Sequence, residues 1–362
     1  MSKRDSDRTM RLALLGCGYA ARLHSKSLGA LGKRVRRYYA SRNIATAEEF
    51  NRRYDGAGAF GSYDEAIASD EIDVVAVLTP PVYHLETTVQ ALRAGKDVIV
   101  EKPPFLRSTD FDTIEEVCRE TGRRVFVAEN YYYKPLAIEL RRLIADGVIG
   151  DVLFIHLNAI KLQQTENWRD QAGLSGAGAL FEGGIHWVNF LANLGLTVHR
   201  VHGARPGVAR GAAPAPGAGD APETGDDATS GPMDRSMLVT FEYQEGAVAT
   251  LSYSWEVPST LKGLRISRIF GRKGSILFET NGVFMMINGT QKRLRFPGFR
   301  DIAGYKGMFR DFHHAWATGA EPGMDLAKAR ADLEYIEAAY RSSELAWDSP
   351  TSAVLTPSEK GE

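Results

Sequence analysis

The chain has 362 residues, with 44 Lys and Arg against 45 Asp and Glu, and a formal net charge of −1. That balance offers no electrostatic hold on nucleic acid or on an anionic membrane, so the expected partner is a small molecule. With 44% apolar and 25% charged residues the chain reads as globular and too long for one core, and two domains are expected. Its two cysteines, Cys17 and Cys118, supply neither a disulfide framework nor a thiolate metal cluster.

Residues 1–9 carry charge of both signs without a long apolar core, and no stretch reaches the roughly 18 uninterrupted apolar residues of a membrane span. A flexible N-terminus and a cytoplasmic location are expected. From residue 10 to 128, short apolar runs alternate with helical periodicity. The expected strands are 11–15, 35–40, 57–60, 73–78, 97–100 and 124–127. Strands alternating with helices predict an α/β unit, a doubly wound parallel sheet of the Rossmann type.

The first strand empties into Gly16-Cys17-Gly18-Tyr19-Ala20-Ala21. Gly16 suits a tight turn, Gly18 lets a pyrophosphate approach the backbone, and Ala21 permits close helix packing, so a dinucleotide is the expected ligand. A merely convenient strand-to-helix turn is the alternative. The second strand ends in Ala40-Ser41-Arg42-Asn43 with no carboxylate to bond a ribose 2′-hydroxyl. Ser41 and Arg42 suit a 2′-phosphate instead, so NADP(H) is preferred and NAD(H) possible; the alternative makes Arg42 a solvated loop residue. The fifth strand runs into Glu101-Lys102-Pro103-Pro104. Ligands bind beyond the carboxyl ends of such strands, and Pro103 holds Lys102 extended at a fixed break. Near a nicotinamide ring, Lys102 is an acid-base candidate.

From 129 to 347 the texture changes to successive strands at 151–161, 236–243, 247–255, 266–271, 275–280 and 283–287, with hairpin signals at Gln244-Glu245-Gly246 and Asn281-Gly282. An α+β domain with an open, mostly antiparallel sheet is expected, and the need to cover its open face predicts a homo-oligomer. Residues 203–235 are rich in Gly, Ala, Pro and Asp and read as a disordered insertion. Leu326, Ala329, Leu333, Ile336 and Tyr340 fall at helical spacing, and 348–362 reads as a flexible tail.

The glycine turn with His24, then Thr79-Pro80-Pro81 with His84, then Glu101-Lys102-Pro103, in that order, resemble the glucose-fructose oxidoreductase/inositol dehydrogenase/rhizopine-catabolism family over nearly the whole chain. The resemblance implies a Rossmann domain followed by a C-terminal domain with an open sheet. It further implies NAD or NADP as cofactor, hydride transfer at a hydroxyl or carbonyl carbon of a sugar or cyclitol, and a catalytic role for Lys102. It gathers Gly16, Gly18, Tyr19, Ala20, Ala21, Ser41, Arg42, Thr79, Pro80, His84, Glu101 and Lys102 at the cofactor. A second family motif is matched by Gly178-Ala179-Leu180-Phe181-Glu182-Gly183-Gly184-Ile185-His186, with Glu182 where Asp is usual and Asn189 where a further Asp is common.

On a helix, Glu182, His186 and Asn189 share one face that can point into a cleft. His186 is expected to bond the reacting oxygen, with Glu182 beside it in the catalytic group. The alternatives are a satisfied core histidine, or a metal ligand joined by His313 and His314; no metal is expected. Tyr131, Lys161, Trp168 and Arg169 are placed with Lys102, Glu182 and His186 on the substrate side, against core packing or a solvated loop, and Glu129 and Asn130 are candidates for cofactor or substrate contact. The expected activity is NADP(H)-dependent interconversion of an alcohol and a carbonyl on a sugar-like or cyclitol substrate. A non-catalytic nucleotide-binding regulator, or a dehydrogenase of an aromatic dihydrodiol or imine, remains open.

Overall fold

Six strands, β1 (Met10–Leu15), β2 (Val35–Ala40), β3 (Gly58–Phe60), β4 (Val74–Val77), β5 (Asp97–Glu101) and β6 (Val125–Ala128), form a wholly parallel sheet in the order β3-β2-β1-β4-β5-β6. A computed structural model describes residues 8–163, 178–207, 234–259, 263–290 and 292–343. β4 is Val-Val-Ala-Val and buried throughout, as a strand covered on both faces must be. Helices α1 (Tyr19–Leu28), α2 (Ile44–Arg53), α3 (Tyr63–Ala68), α4 (His84–Arg93) and α5 (Asp110–Thr121) make the crossovers. Their starts follow from local chemistry: Asn43 accepts the Ala45 N–H at α2, and Ser62 accepts the Glu65 N–H at α3. The strand order reverses between β1 and β4, which opens a crevice at their carboxyl ends.

Eight strands make the second sheet: β7 (Val152–Ile160), β8 (Val198–Ala204), β9 (Ser236–Tyr243), β10 (Val248–Ser254), β11 (Ile266–Gly271), β12 (Gly274–Glu279), β13 (Met285–Asn288) and β14 (Lys292–Arg295). Their order is β14-β13-β12-β11-β7-β10-β9-β8, antiparallel except where β7 pairs with β10. The outer strands β8 and β14 were not expected. Exposed His199, Arg200 and His202 in β8, and Lys-Arg-Leu-Arg in β14, break the apolar pattern that inner strands show, because an edge strand is kept from pairing by charge.

Helices α6 (Pro135–Ala145), α7 (Ile185–Ala192), α8 (Tyr305–Thr318) and α9 (Leu326–Ser342) complete the described elements. α9 buries Ala329, Leu333, Ile336 and Tyr340, the stripe its spacing predicts. β8 lies so close to it that a Cβ on Gly203 would sit 2.3 Å from the Ala339 carbonyl oxygen. The disordered insertion expected at 203–235 is corrected at both ends. Gly203 and Ala204 complete β8 and Asp234 is buried, while residues 208–233 lie outside those described. The last helices return to the first sheet: Tyr305 and Phe309 of α8 meet His24 edge-on, and Arg124 donates to the Ala315 carbonyl at 2.7 Å.

Candidate active site

At the carboxyl end of β1 the backbone turns with Gly16 at φ +113°, a conformation costly for any side chain, and its N–H donates to the Ala40 carbonyl at 3.0 Å. A Cβ there would lie 3.2 Å from the Leu78 carbonyl oxygen, whereas one on Gly18 would meet nothing within 4 Å. Gly18 therefore opens onto free space before α1, whose N-terminus has no side-chain cap and no acidic residue in its first turn. Thr79, at the end of neighbouring β4, buries a hydroxyl with no partner. Bare helix N–H groups, an open glycine and an orphaned hydroxyl at one switch point fit the pyrophosphate end of a dinucleotide. Tyr19 is exposed, Ala20 is partly covered and Ala21 is buried against the sheet. Ser41 accepts the Asn43 N–H at 3.3 Å, and Arg42 is exposed.

His84 and Glu101 are placed behind this surface. His84 is buried, with Nε2 2.8 Å from the Thr79 carbonyl and Nδ1 2.9 Å from that of Pro103, so it ties the loop after β4, with Pro80, to the one after β5. Burial holds its pKa below the ordinary imidazole value. Glu101 pairs with His24 Nε2 and accepts the Lys102 N–H at 3.0 Å. Burial opposes its ionisation, but His24, Lys102 and His186 overcome that and draw it down to about 2.

Lys102 Nζ donates to the Glu182 carbonyl at 2.8 Å and lies 3.9 Å from the Glu182 carboxylate. The side chain of His186 is 14% exposed. Its Nδ1 lies 2.7 and 2.9 Å from the two oxygens of Glu129, which is buried just beyond β6. In a neutral ring, donation from Nδ1 to Glu129 leaves Nε2 as the acceptor. Tyr131 stacks on the imidazole at 4.2 Å and 12°, and its hydroxyl is pushed up to about 12 by burial. Two regions of the chain are thus joined: Lys102 from the end of β5, and Glu182 and His186 from the π-turn before α7 and the first turn of α7.

The shared face expected for Glu182, His186 and Asn189 does not form. Leu180–Gly184 winds as a π-turn before α7 begins, changing the angular spacing between residues 182 and 186. Asn189 is fully buried, donating to Asp332 at 2.7 Å, and takes no part in the cleft. Asp234 pins the start of the turn by accepting the Leu180 N–H at 3.0 Å and the Tyr340 hydroxyl at 2.6 Å. Gly183 is required there, since a Cβ would come 2.3 Å from the Tyr253 hydroxyl oxygen. His313 bonds the Arg8 carbonyl instead of joining His186.

Lys161, directly after β7, is half-buried; its pKa is lowered by burial and then by Arg265, against Glu182. Trp168 and Arg169 lie outside the described residues. Sequence reasoning gives little weight to Glu129 and none to Arg265. Nothing local marks them; they reach the site through tertiary packing.

A family profile described as "Oxidoreductase family, NAD-binding Rossmann fold" matches residues 10–129, and one described as "GFO/IDH/MocA C-terminal domain" matches 137–277. The chain belongs to the GFO/IDH/MocA oxidoreductase family. A member from Hypocrea jecorina, a D-xylose 1-dehydrogenase (NADP(+)), is 37% identical over 118 residues, 31% of this chain and 30% of that one. Levoglucosan dehydrogenase from Pseudarthrobacter phenanthrenivorans is 23% identical over 91% of this chain and 87% of its own. Among solved GFO/IDH/MocA-like folds, an aldose-aldose oxidoreductase from Caulobacter crescentus superposes with a TM-score of 0.77 at 22% identity, covering 93% of this chain and 98% of that one. A levoglucosan dehydrogenase complexed with NADH and levoglucosan gives 0.76 at 19%, covering 93% and 97%. No described helix is long and apolar enough to cross a membrane.

Proposed function

We propose that the protein is an oxidoreductase that prefers NADP(H) and interconverts an alcohol and a carbonyl on a sugar-like or cyclitol substrate, with Lys102 and His186 handling the proton. The observation that carries this reading is that Lys102 Nζ is held by the carbonyl of Glu182, four residues before His186, whose imidazole is oriented by Glu129. Two proton-handling groups from different regions of the chain converge where the sheet's carboxyl ends and the glycine turn open.

When bound, the nicotinamide supplies the hydride acceptor or donor. The residues Gly16, Gly18, Tyr19, Ala20 and Ala21 would hold its pyrophosphate side, with Thr79 and Pro80 flanking the crevice. In the oxidation direction, His186 Nε2 accepts a hydrogen bond from the substrate hydroxyl and orients it, and Lys102 Nζ, as the uncharged amine, takes the proton and becomes the ammonium that returns it in reduction. Glu182 sets the amine's position through its carbonyl and adds its carboxylate 3.9 Å away, so the replacement of Asp by Glu keeps a carboxylate beside the lysine. The NADP(H) preference rests on Ser41 and exposed Arg42 after β2, where no acid repels a 2′-phosphate.

The homo-oligomer is supported by the outer face of the second sheet, where Phe154, Leu238 and Met286 are all exposed. Sedimentation should give a mass above that of one chain. The functional reading is tested by fluorescence titration with NADPH and NADH, followed by a turnover screen over sugars, cyclitols and dihydrodiols. Tighter NADPH binding and turnover of a polyol are expected. Nucleotide binding with no turnover on the panel would overturn the enzymatic reading in favour of a regulator.

A further inference from the structure

Beside the catalytic pair lies a group of cations that form no ion pair among the described residues. Tyr131, stacked on His186, carries the Lys134 ammonium 4.5 Å from its ring centroid, and meets Trp187 edge-on at 4.8 Å. The Arg265 guanidinium in turn sits 5.5 Å from the Trp187 ring. Lys134 is 3% exposed and Arg265 6%, both more than nine-tenths buried. Lys161, after β7, lies within electrostatic range of Arg265, Lys102 and Glu182.

Buried cations ordinarily sit on acceptors. Lys96, 7% exposed, donates to the Ser69 carbonyl at 2.7 Å and the Ile72 carbonyl at 3.0 Å. Lys134 Nζ has no such partner among the described residues and lies over the Tyr131 face. Arg265 donates one Nη to Asn281 at 2.5 Å, and its Nε is buried with nothing to bond. Neither these two nor Lys161 forms an ion pair with a carboxylate among the described residues. The nearby acids act on these cations at a distance and form no ion pair with them. Glu279 accepts from Asn281 at 2.9 Å and from the Val283 N–H at 3.2 Å, Glu129 accepts from His186 and the Tyr131 N–H, and Glu182 faces Lys102. Gathering three cations of one sign, two of them buried, costs free energy that an incoming anion offsets.

We infer that the polyhydroxylated substrate carries an oxyanion, a carboxylate or a phosphate, which is received by Arg265 and Lys161 with Lys134 behind Tyr131. The inference rests on the oxidoreductase reading of this same site. Arg265 supplies its unbonded Nε–H edge and Lys161 a movable ammonium. Neutral polyols lack the group that cancels the local charge, so they bind less tightly.

The test is calorimetric binding of two matched pairs to the full-length protein, D-gluconate against D-glucitol and D-glucose 6-phosphate against D-glucose, in wild type and in Lys161→Gln. At least one anion should bind about tenfold more tightly than its neutral twin, a ratio within the reach of one desolvated charge pair. The pair that shows the advantage identifies carboxylate or phosphate. Lys161→Gln, at a half-buried position, should shrink that advantage several-fold while its thermal melt matches wild type; Arg265→Lys should do the same if it folds. Equal affinities within both pairs, or an advantage untouched by Lys161→Gln, overturn the inference. The two readings fail separately: turnover of neutral sugars without an anion advantage sinks this inference alone, and anion binding with no turnover of any polyol sinks the oxidoreductase reading alone.

Discussion

The two halves of the site are built from different materials. On the nucleotide side the chemistry lies in the backbone: a glycine at φ +113°, a second whose missing Cβ leaves open space, and a helix end with bare N–H groups. Glu101, at the end of β5, is already paired with His24. On the substrate side the chemistry lies in side chains, and Lys134 and Arg265 are buried without an ion pair among the described residues. A backbone-built cradle is finished before its ligand arrives, whereas a side-chain-built one is strained until a ligand completes it.

Lys134 gives the sharpest way to break that contrast. Burial, with Arg265 adding to it and Glu279, Glu129 and Asp301 opposing, pushes its ammonium down to about 8. The displacement from 10.5 to about 8 corresponds to about 3 kcal/mol disfavouring the charged form in the folded state. Between those values the unfolded chain binds more protons, so this lysine's contribution to stability rises with pH. Lys134→Met should therefore be more stable than wild type at pH 7, and the gap should close by about 3 kcal/mol between pH 8 and 10.5 in urea titrations. A variant less stable than wild type at pH 7 would mean that the lysine is satisfied as it stands.

The glycine pair should separate stability from binding. Gly16→Ala combines left-handed strain with a Cβ 3.2 Å from the Leu78 carbonyl oxygen, and should cost about 1–3 kcal/mol of stability. Gly18→Ala meets no protein atom and should melt like wild type, yet weaken NADPH binding by filling the space the phosphates need. Equal melting losses in both would make the turn purely structural. Smaller still, Arg42→Ala should narrow the gap between NADPH and NADH dissociation constants by about tenfold, or about 1.4 kcal/mol.

The same division decided what could be read from the sequence. Alternating apolar runs exposed all six strands of the parallel sheet, and the glycine turn and Glu-Lys-Pro stood out because each is contiguous. The charged edge strands β8 and β14 were hidden, since their patterns answer to solvent and not to a core. Lys134, Arg265 and Glu129 were obscure for another reason. Arg265 comes to Trp187 from 78 positions further along the chain, and Glu129 reaches His186 across 57, contacts that only the fold creates. Even the contiguous Glu182-to-Asn189 stretch misled, because the π-turn and the Asp332 partner are tertiary facts.

The central claim places Lys102 at the junction of these halves, moving a proton while leaving the cofactor cradle alone. NADPH titration and steady-state turnover of Lys102→Ala test it most directly. The account predicts a dissociation constant close to wild type and a kcat lowered by about a thousandfold, within the range of lost general acid-base catalysis. Turnover equal to wild type would contradict it.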